Sequence, residues 1–324
     1  MNLDSMLDPN PMTVGESLEE AKALGREGGW VIETRHDPFV LLATAAAQRT
    51  GLHLGTAVAV GFARNPMTLA YQANDLQLLS GGKFSLGLGT QVKAHIERRY
   101  SMPWGKPAAR MRDMVQAIHA IWDSWEAGNP LVYQGEFYHH TLMTQPFSPG
   151  ANPYGRPRLL LGALGPAMTE LAGEVADGLV VHRLMSQRFL SEVTLPLLEK
   201  GMAKRTRPLA RPFEVVYPPF VVAGTTDEAH ARQLGDTRSQ IAFYASTPSY
   251  RPVLDVHGWG NIGEELHTLS VSGRWPEMPT CISEAMVETF AVITDPASLT
   301  DQLKTRFGTL VDRIILYPEG SDHH

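Results

Sequence analysis

The stretch "NPMTLAYQANDLQLLSGGKFSLGLGT", residues 65–90, reads as one helix running into one strand. Pro66 stands in the first helical turn, where its missing N–H is no loss, and Gly81-Gly82 stands where a helix stops. The strand "KFSLGLGT" (83–90) is apolar and carries two glycines, Gly87 and Gly89. It opens abruptly onto a run that holds Lys93, His95, Arg98 and Arg99.

The same strand-then-helix order repeats in both directions. Upstream, "NLDSML" (2–7) is a short apolar alternation. Residues 13–28 space Val14, Leu18, Ala21 and Leu24 as a helix, with Thr13 and Glu16 placed as a capping box. "WVIET" (30–34) and "LHLGTAVAV" (52–60) read as strands, with a buried helix over 38–51 between them. Downstream, a long insertion carries a helix near 107–127 and a small hairpin at 135–147. Strands follow at 158–164, 178–183, 213–224 (interrupted by Pro218-Pro219) and 311–317. Helices are expected at 165–176, 187–204, 226–246, 283–292 and 295–308, and residues 247–280 read as irregular.

Eight strands result, most followed by a helix. Runs such as "RLLLGAL", "GLVVH" and "RIILY" suit parallel strands buried on both faces. The expectation is an α/β fold, a TIM (β/α)8 barrel with insertions after strands four and seven, forming a single domain over 1–324. A doubly wound sheet is the rival. The unbroken alternation along the chain, with no shift of composition, favours the barrel.

The 324 residues are 43% hydrophobic and 19% charged, ordinary for a globular protein, and the length allows a large core. A net charge of −6 argues against general nucleic-acid binding. The single cysteine, Cys281, leaves no intrachain disulfide framework. Residues 1–15 lack the pattern of a signal peptide, and no stretch of 18 uninterrupted apolar residues occurs, so a cytoplasmic location off the membrane is expected.

In a barrel the chemistry gathers at the C-terminal strand ends. After strand two these are Glu33, His36 and Asp37; after strand three, Ala57 and Val58. After strand four come Thr90, Gln91, Lys93 and His95. After strand five comes Ala163, Leu164, Gly165 and Pro166, and after strand six His182 and Arg183.

"GALGPAM" (162–168) is a small-residue turn into a helix. It reads either as an ordinary βα turn or as an anion site made of free N–H groups at a helix start. "LGLGTQ" (86–91) fails as a dinucleotide fingerprint, because the spacing is wrong and no acidic residue follows at the required distance. Its glycines are expected to thin the strand end so that a flat ring can lie against backbone. From Lys93 to Arg112 there are six basic residues and one acid, Glu97: a positive field for an anionic ligand, or a solvated helix face. In "ETRHDPF" (33–39), His36 is placed for proton transfer near neutral pH, and Asp37 is placed as a helix cap before Pro38. The adjacent His139 and His140 point to opposite faces of a strand, and no metal-binding or GxSxG motif occurs, so neither a metal site nor nucleophilic hydrolysis is expected.

The segments "ETRHDPF", "RNPMTLA…LSGGKFSLGLGT", "GPAMTELAGEVADG" and "STPSYRPVLDVHGWG" together resemble the luciferase-like monooxygenase superfamily across residues 2–317. "TQVKAHIERRYSMPW" (90–104) is similar to the branch described as coenzyme F420-dependent oxidoreductases. The resemblance implies a TIM barrel, often a homodimer, with a deazaflavin or flavin ring at the mouth. It implies a non-prolyl cis peptide at Ala57-Val58 and a phosphate site at Ala163, Leu164, Gly165 and Pro166. It places a ring-edge histidine at His36, with Asp37 beside it, and brings Thr90, Gln91 and His182 near the cofactor. Thr90 and Gln91 depart from the glycine, glutamate or arginine of other members, so that Lys93 or His95 is expected to take the polar role there.

The expected activity is hydride transfer between F420 and a small organic substrate. His36, Glu33 and His95 are the candidate catalytic residues, with Glu33 or Asp37 orienting His36, and Lys93, Arg98 and Arg99 hold the anionic tail. The alternative is an FMN-dependent monooxygenase using O₂, since both cofactors share a tricyclic ring and a ribityl phosphate. A non-catalytic flavoprotein or ligand carrier is the third class. The aromatic content of 93–106, 135–147 and 247–280 points to an apolar or aromatic substrate.

Overall fold

The computed structural model describes residues 1–318. Eight strands form its centre: β1 (Asn2–Met6), β2 (Gly28–Val31), β3 (His53–Thr56), β4 (Phe84–Gly89), β5 (Arg158–Ala163), β6 (Gly178–Val181), β7 (Glu214–Tyr217) and β8 (Arg313–Leu316). They pair in the order β3-β2-β1-β8-β7-β6-β5-β4, all parallel. The sheet closes on itself where β3 meets β4, through Leu54↔Phe84 and Gly55↔Ser85. This is a TIM barrel.

Helices of six residues or more are numbered α1 (Val14–Ala23), α2 (Pro38–Ala46), α3 (Pro66–Leu79), α4 (Lys93–Arg98), α5 (Pro107–Ala127), α6 (Pro166–Val175), α7 (Leu195–Met202), α8 (Asp227–Ala245), α9 (Gly260–Val271), α10 (Glu284–Phe290) and α11 (Leu299–Phe307). The large apolar core lies between them and the outer strand faces. A second cluster, Met6, Trp30, Ala57, Leu160, Val180, Val216 and Ile315, packs together separately from it and fills the barrel. Toward the N-terminal ends the filling becomes ionic. Arg313 binds Asp4 at 2.9 Å and Glu214 at 2.9 Å, and Trp30 Nε1 donates to Asp4 at 2.7 Å. That end is sealed, which leaves the opposite mouth for chemistry.

Three local readings change. Strand three stops at Thr56 and resumes at Ala59–Val60, which pairs on to β4; the Ala57-Val58 bond between them is cis, as the resemblance implied. The capping box of α1 does not form. Thr13 sits at φ −120°, ψ −10°, outside the extended conformation a capping residue needs, and its hydroxyl donates to Asp8 instead. Residues 247–280 are not irregular: Pro248–Tyr250, Arg251–Asp255, α9 and Trp275–Cys281 are all helical. Ile262, Leu266 and Leu269 of α9 keep a helical spacing, but the other pieces are short and broken by proline, so the region does not read as helical throughout.

Candidate active site at the barrel mouth

The two glycines of β4 have a physical cause. A Cβ on Gly87 would lie 2.0 Å from the Thr56 carbonyl oxygen, and one on Gly89 would lie 2.6 Å from Val58 Cγ2. A Cβ on Gly162 of β5 would come within 3.1 Å of Val58 Cγ1. The thinned strand ends therefore receive the Thr56–Val58 segment of the protein itself. The space in front of these glycines, expected to receive a flat ring, is filled by the Thr56 carbonyl and Val58. Thr56 fixes the register: its hydroxyl donates to Gly87 O at 2.7 Å and accepts from Gly87 N at 2.8 Å.

Glu33, just past β2, is committed on both oxygens. Oε2 accepts from Val60 N and from Arg64 Nη1, each at 2.7 Å, and Oε1 accepts from Tyr100 Oη at 3.0 Å. Arg64 Nη2 reaches Asp37 Oδ2 at 2.7 Å. Burial works against the Arg64 charge, but Glu33 and Asp37 outweigh it and hold the guanidinium protonated. Burial, then Glu33, raises the Tyr100 hydroxyl, so it stays a donor. Asp37 also caps α2, its Oδ1 accepting from Phe39 N at 2.9 Å and Val40 N at 3.2 Å ahead of Pro38. Glu33 thus ties the segment after the cis bond to the loop that carries His36. His36 itself is exposed.

After β4, Gln91 takes a left-handed φ of +57° and its own Oε1 accepts from Val92 N at 2.9 Å. Thr90 Oγ1 donates to Gln91 O at 3.0 Å. Lys93 and His95 lie on α4 with exposed side chains, Lys93 Nζ being 4.0 Å from Glu97. Arg99 donates to Thr34 O at 2.8 Å, tying α4 to the loop of His36. Arg98 is exposed; Lys106 pairs with Glu136 at the surface, Arg112 pairs with Glu174, and only Arg110 turns inward, packing 4.3 Å over the Phe62 ring.

At β5, Ala163 and Leu164 are buried and Gly165 begins α6 with no side-chain cap. A Cβ on Gly165 would meet nothing within 4 Å. Pro166 and Ala167 are exposed, so the start of α6 is open, with Pro166 contributing no N–H. An open helix start offers the donor set a phosphate needs, and it fits a ribityl phosphate.

Past β6, His182 Nδ1 accepts from Leu184 N at 3.1 Å, which leaves the ring proton on Nε2. The ring lies 4.3 Å from that of Tyr250 and 4.9 Å from that of Tyr244. Burial first, and Arg183 second, lower its pKa to about 4, so the imidazole is neutral near pH 7. Arg64, Tyr100, Tyr244 and Tyr250 were not singled out by sequence reasoning. Arg64 meets Glu33 across 31 positions, a separation no local motif reports.

A cavity of about 950 Å³ runs from Met6, Arg183 and Tyr317 at the mouth outward to α1 and α8. Another of about 770 Å³, lined by His119, Arg156, Arg158 and Arg207 among others, lies at the N-terminal barrel end. Among the described residues no group of three or more His, Cys, Asp or Glu side chains is arranged to hold a metal ion, and no helix is long and apolar enough to cross a membrane.

The model of the luciferase-like monooxygenase family matches residues 4–313. This chain belongs to that family. Within it, an uncharacterised Mycobacterium tuberculosis protein is 46% identical over 308 residues, covering 94% of this chain and 90% of its own. The F420-dependent glucose-6-phosphate dehydrogenase of Beutenbergia cavernae is 30% identical over 250 residues, covering 74% and 69%. The structure of the coenzyme F420 dependent tetrahydromethanopterin reductase of Methanopyrus kandleri superposes with a TM-score of 0.78 at 20% identity, over 98% of this chain and 92% of its own.

Proposed function

We propose that this luciferase-like oxidoreductase is F420-dependent and exchanges hydride between F420 and a small organic substrate at the barrel mouth. The observation that carries the reading is the open, uncapped start of α6 at Gly165, sharing one mouth with the Ala57-Val58 bulge. The choice of F420 is supported by the 30% identity to an F420-dependent dehydrogenase.

When bound, reduced F420 supplies a hydride to a carbonyl or an activated double bond. The chain supplies the rest. Ala163, Leu164, Gly165 and Pro166 hold the phosphate. Ala57, Val58, Asp37, Thr90, Gln91 and His182 border the ring, and Lys93, Arg98 and Arg99 supply positive charge beside it. His36, exposed on a braced loop, delivers or takes the proton that balances the hydride. Glu33 acts by positioning that loop. His95 is the second candidate proton donor. The chain works as one barrel domain in the cytoplasm, as a homodimer.

The family's monooxygenase members favour a second reading, in which the same phosphate site serves FMN and the reaction consumes O₂. The test is to load the protein with reduced F420, offer ketones and enones without oxygen, and follow the ring absorbance. Reoxidation that depends on substrate supports the proposal. Oxygen uptake with reduced FMN, and no response of F420 to any carbonyl or enone, would overturn it.

A further inference from the structure

Arg183 follows His182 at the end of β6. Its guanidinium lies between two rings, 4.5 Å from the Phe220 centroid and 4.1 Å from that of Tyr317. Nη1 donates to Gln240 Oε1 at 2.8 Å. Among the described residues no carboxylate pairs with it. Burial lowers its pKa, opposed only by the phenols of Tyr317, Tyr244 and Tyr217.

Several other arginines that lie partly or wholly inside this protein are better served, although Arg26 and Arg238 also carry a sealed Nε without a partner. Arg64 and Arg313 each bind two carboxylates. Arg205 and Arg306 each donate to two backbone carbonyls of the helix or strand they cover. Arg183 has one neutral acceptor. Its Nε is sealed from solvent without a partner; Nη2 also lacks one among the described residues and is not sealed.

Nε and Nη2 form one edge of the guanidinium fork. This chain uses that edge repeatedly to grip carboxylates: Arg112 holds Glu174 at 3.0 and 2.7 Å, and Arg274 holds Glu277 at 2.7 and 2.5 Å. Such bidentate geometry suits carboxylate and phosphate alike. In Arg183 the same edge has no partner among the described residues, with Nε closed to solvent and only Nη2 not sealed, and the residue lines the 950 Å³ cavity. Glu20 and Asp236 also line that cavity, and neither forms an ion pair with Arg183.

A buried charge without a counter-charge is costly, and it persists where a ligand completes it. We infer that Arg183 is the anchor for an oxyanion, a carboxylate or phosphate, carried by the substrate. Phe220 and Tyr317 hold the fork flat, and Gln240 fixes its rotation. This site is distinct from the proposed cofactor phosphate site at Gly165, which follows β5 and begins α6. The assignment to a substrate rests on the oxidoreductase reading above.

The Nε–H of a sheltered arginine is visible in ¹H–¹⁵N spectra, and its signal is assigned by its loss in R183K, with R183Q as a second variant should the first fold poorly. Sodium phosphate and sodium succinate are titrated separately into the full-length protein, with and without saturating F420, at ionic strength held constant by chloride. The Arg183 signal shifts saturably with at least one of them, more than tenfold beyond the effect of chloride, and still does so when F420 is bound. No shift beyond that of chloride would overturn the inference. So would a shift abolished by F420, which would hand the anion to the cofactor. A signal already moved in wild type and displaced by E319Q or D322N would mean that the chain's own C-terminal acids supply the charge, and would overturn it too. Failure of F420 to bind at all removes the oxidoreductase reading, while the response of Arg183 to phosphate and succinate is read independently.

Discussion

Val58 Cγ2 occupies the place where a side chain on Gly89 would begin, 2.6 Å from the position of its Cβ. The segment after β3 and the end of β4 are thus complementary in shape, and each is sized for the other. Gly89→Ala overpacks this contact and is expected to lose about 1–3 kcal/mol of stability. Val58→Ala in the same chain frees the space, so the double variant recovers much of the loss. Denaturant unfolding of the four proteins measures the coupling, and additive effects would show that the two residues do not compete for one volume.

Glu33 is braced by Val60, Arg64 and Tyr100, with a side chain only 6% exposed. Glu33→Gln removes the charge opposite Arg64 and leaves Asp37, which is far more exposed, as the remaining counter-ion. The expected loss is about 3 kcal/mol, in the range for breaking a buried pair. Because Glu33 positions the loop of His36, cofactor affinity falls with stability while the pH dependence of turnover keeps its shape. A pH profile that loses one limb would make Glu33 a proton carrier instead.

His119 lies at the N-terminal end of the barrel, and burial, with Arg207 adding to it, lowers its pKa from 6.5 to about 4. Between pH 6.5 and pH 4 the unfolded chain binds a proton at this residue that the folded chain refuses. Stability therefore falls as the pH drops through that window, by up to ~3 kcal/mol for this one group. His119→Leu is expected to flatten the dependence of unfolding free energy on pH between those values. An unchanged slope would mean that His119 protonates in place.

His36→Ala is expected to lower turnover by about 10²-fold, the lower end of what a positioned acid or base contributes, with cofactor affinity changed far less. Steady-state kinetics against a cofactor titration separates the two. Unchanged turnover would pass the proton role to His95, for which the same pair of measurements applies.

The barrel was legible because its strands are buried on both faces: "RLLLGAL" and "RIILY" announce parallel strands without any partner being known, and Pro66 and Gly81-Gly82 mark the limits of α3 within a residue or two. Asp37 as the cap of α2 was equally legible, since it depends only on the next three residues. The purpose of Gly87 and Gly89 was not. It lies in Thr56 and Val58, some thirty residues away, and glycine in a strand says that something approaches without saying what. The Glu33–Arg64 pair and the His182–Tyr250 ring contact were hidden for the same reason, being contacts distant in sequence that only the closed barrel brings together. Residues 247–280 misled because prolines and glycines punctuate them, leaving a helical spacing only at Ile262, Leu266 and Leu269 of α9.

Cofactor choice is the central claim, and a binding titration tests it most directly. Cofactor-free protein is titrated with F420 and with FMN, each oxidised and reduced, following ring fluorescence or absorbance. The account predicts F420 binding at least tenfold tighter than FMN, with affinity for both falling when a bulkier residue replaces Gly165 at the open start of α6. FMN binding tenfold tighter than F420, with oxygen consumed once the flavin is reduced, would contradict it.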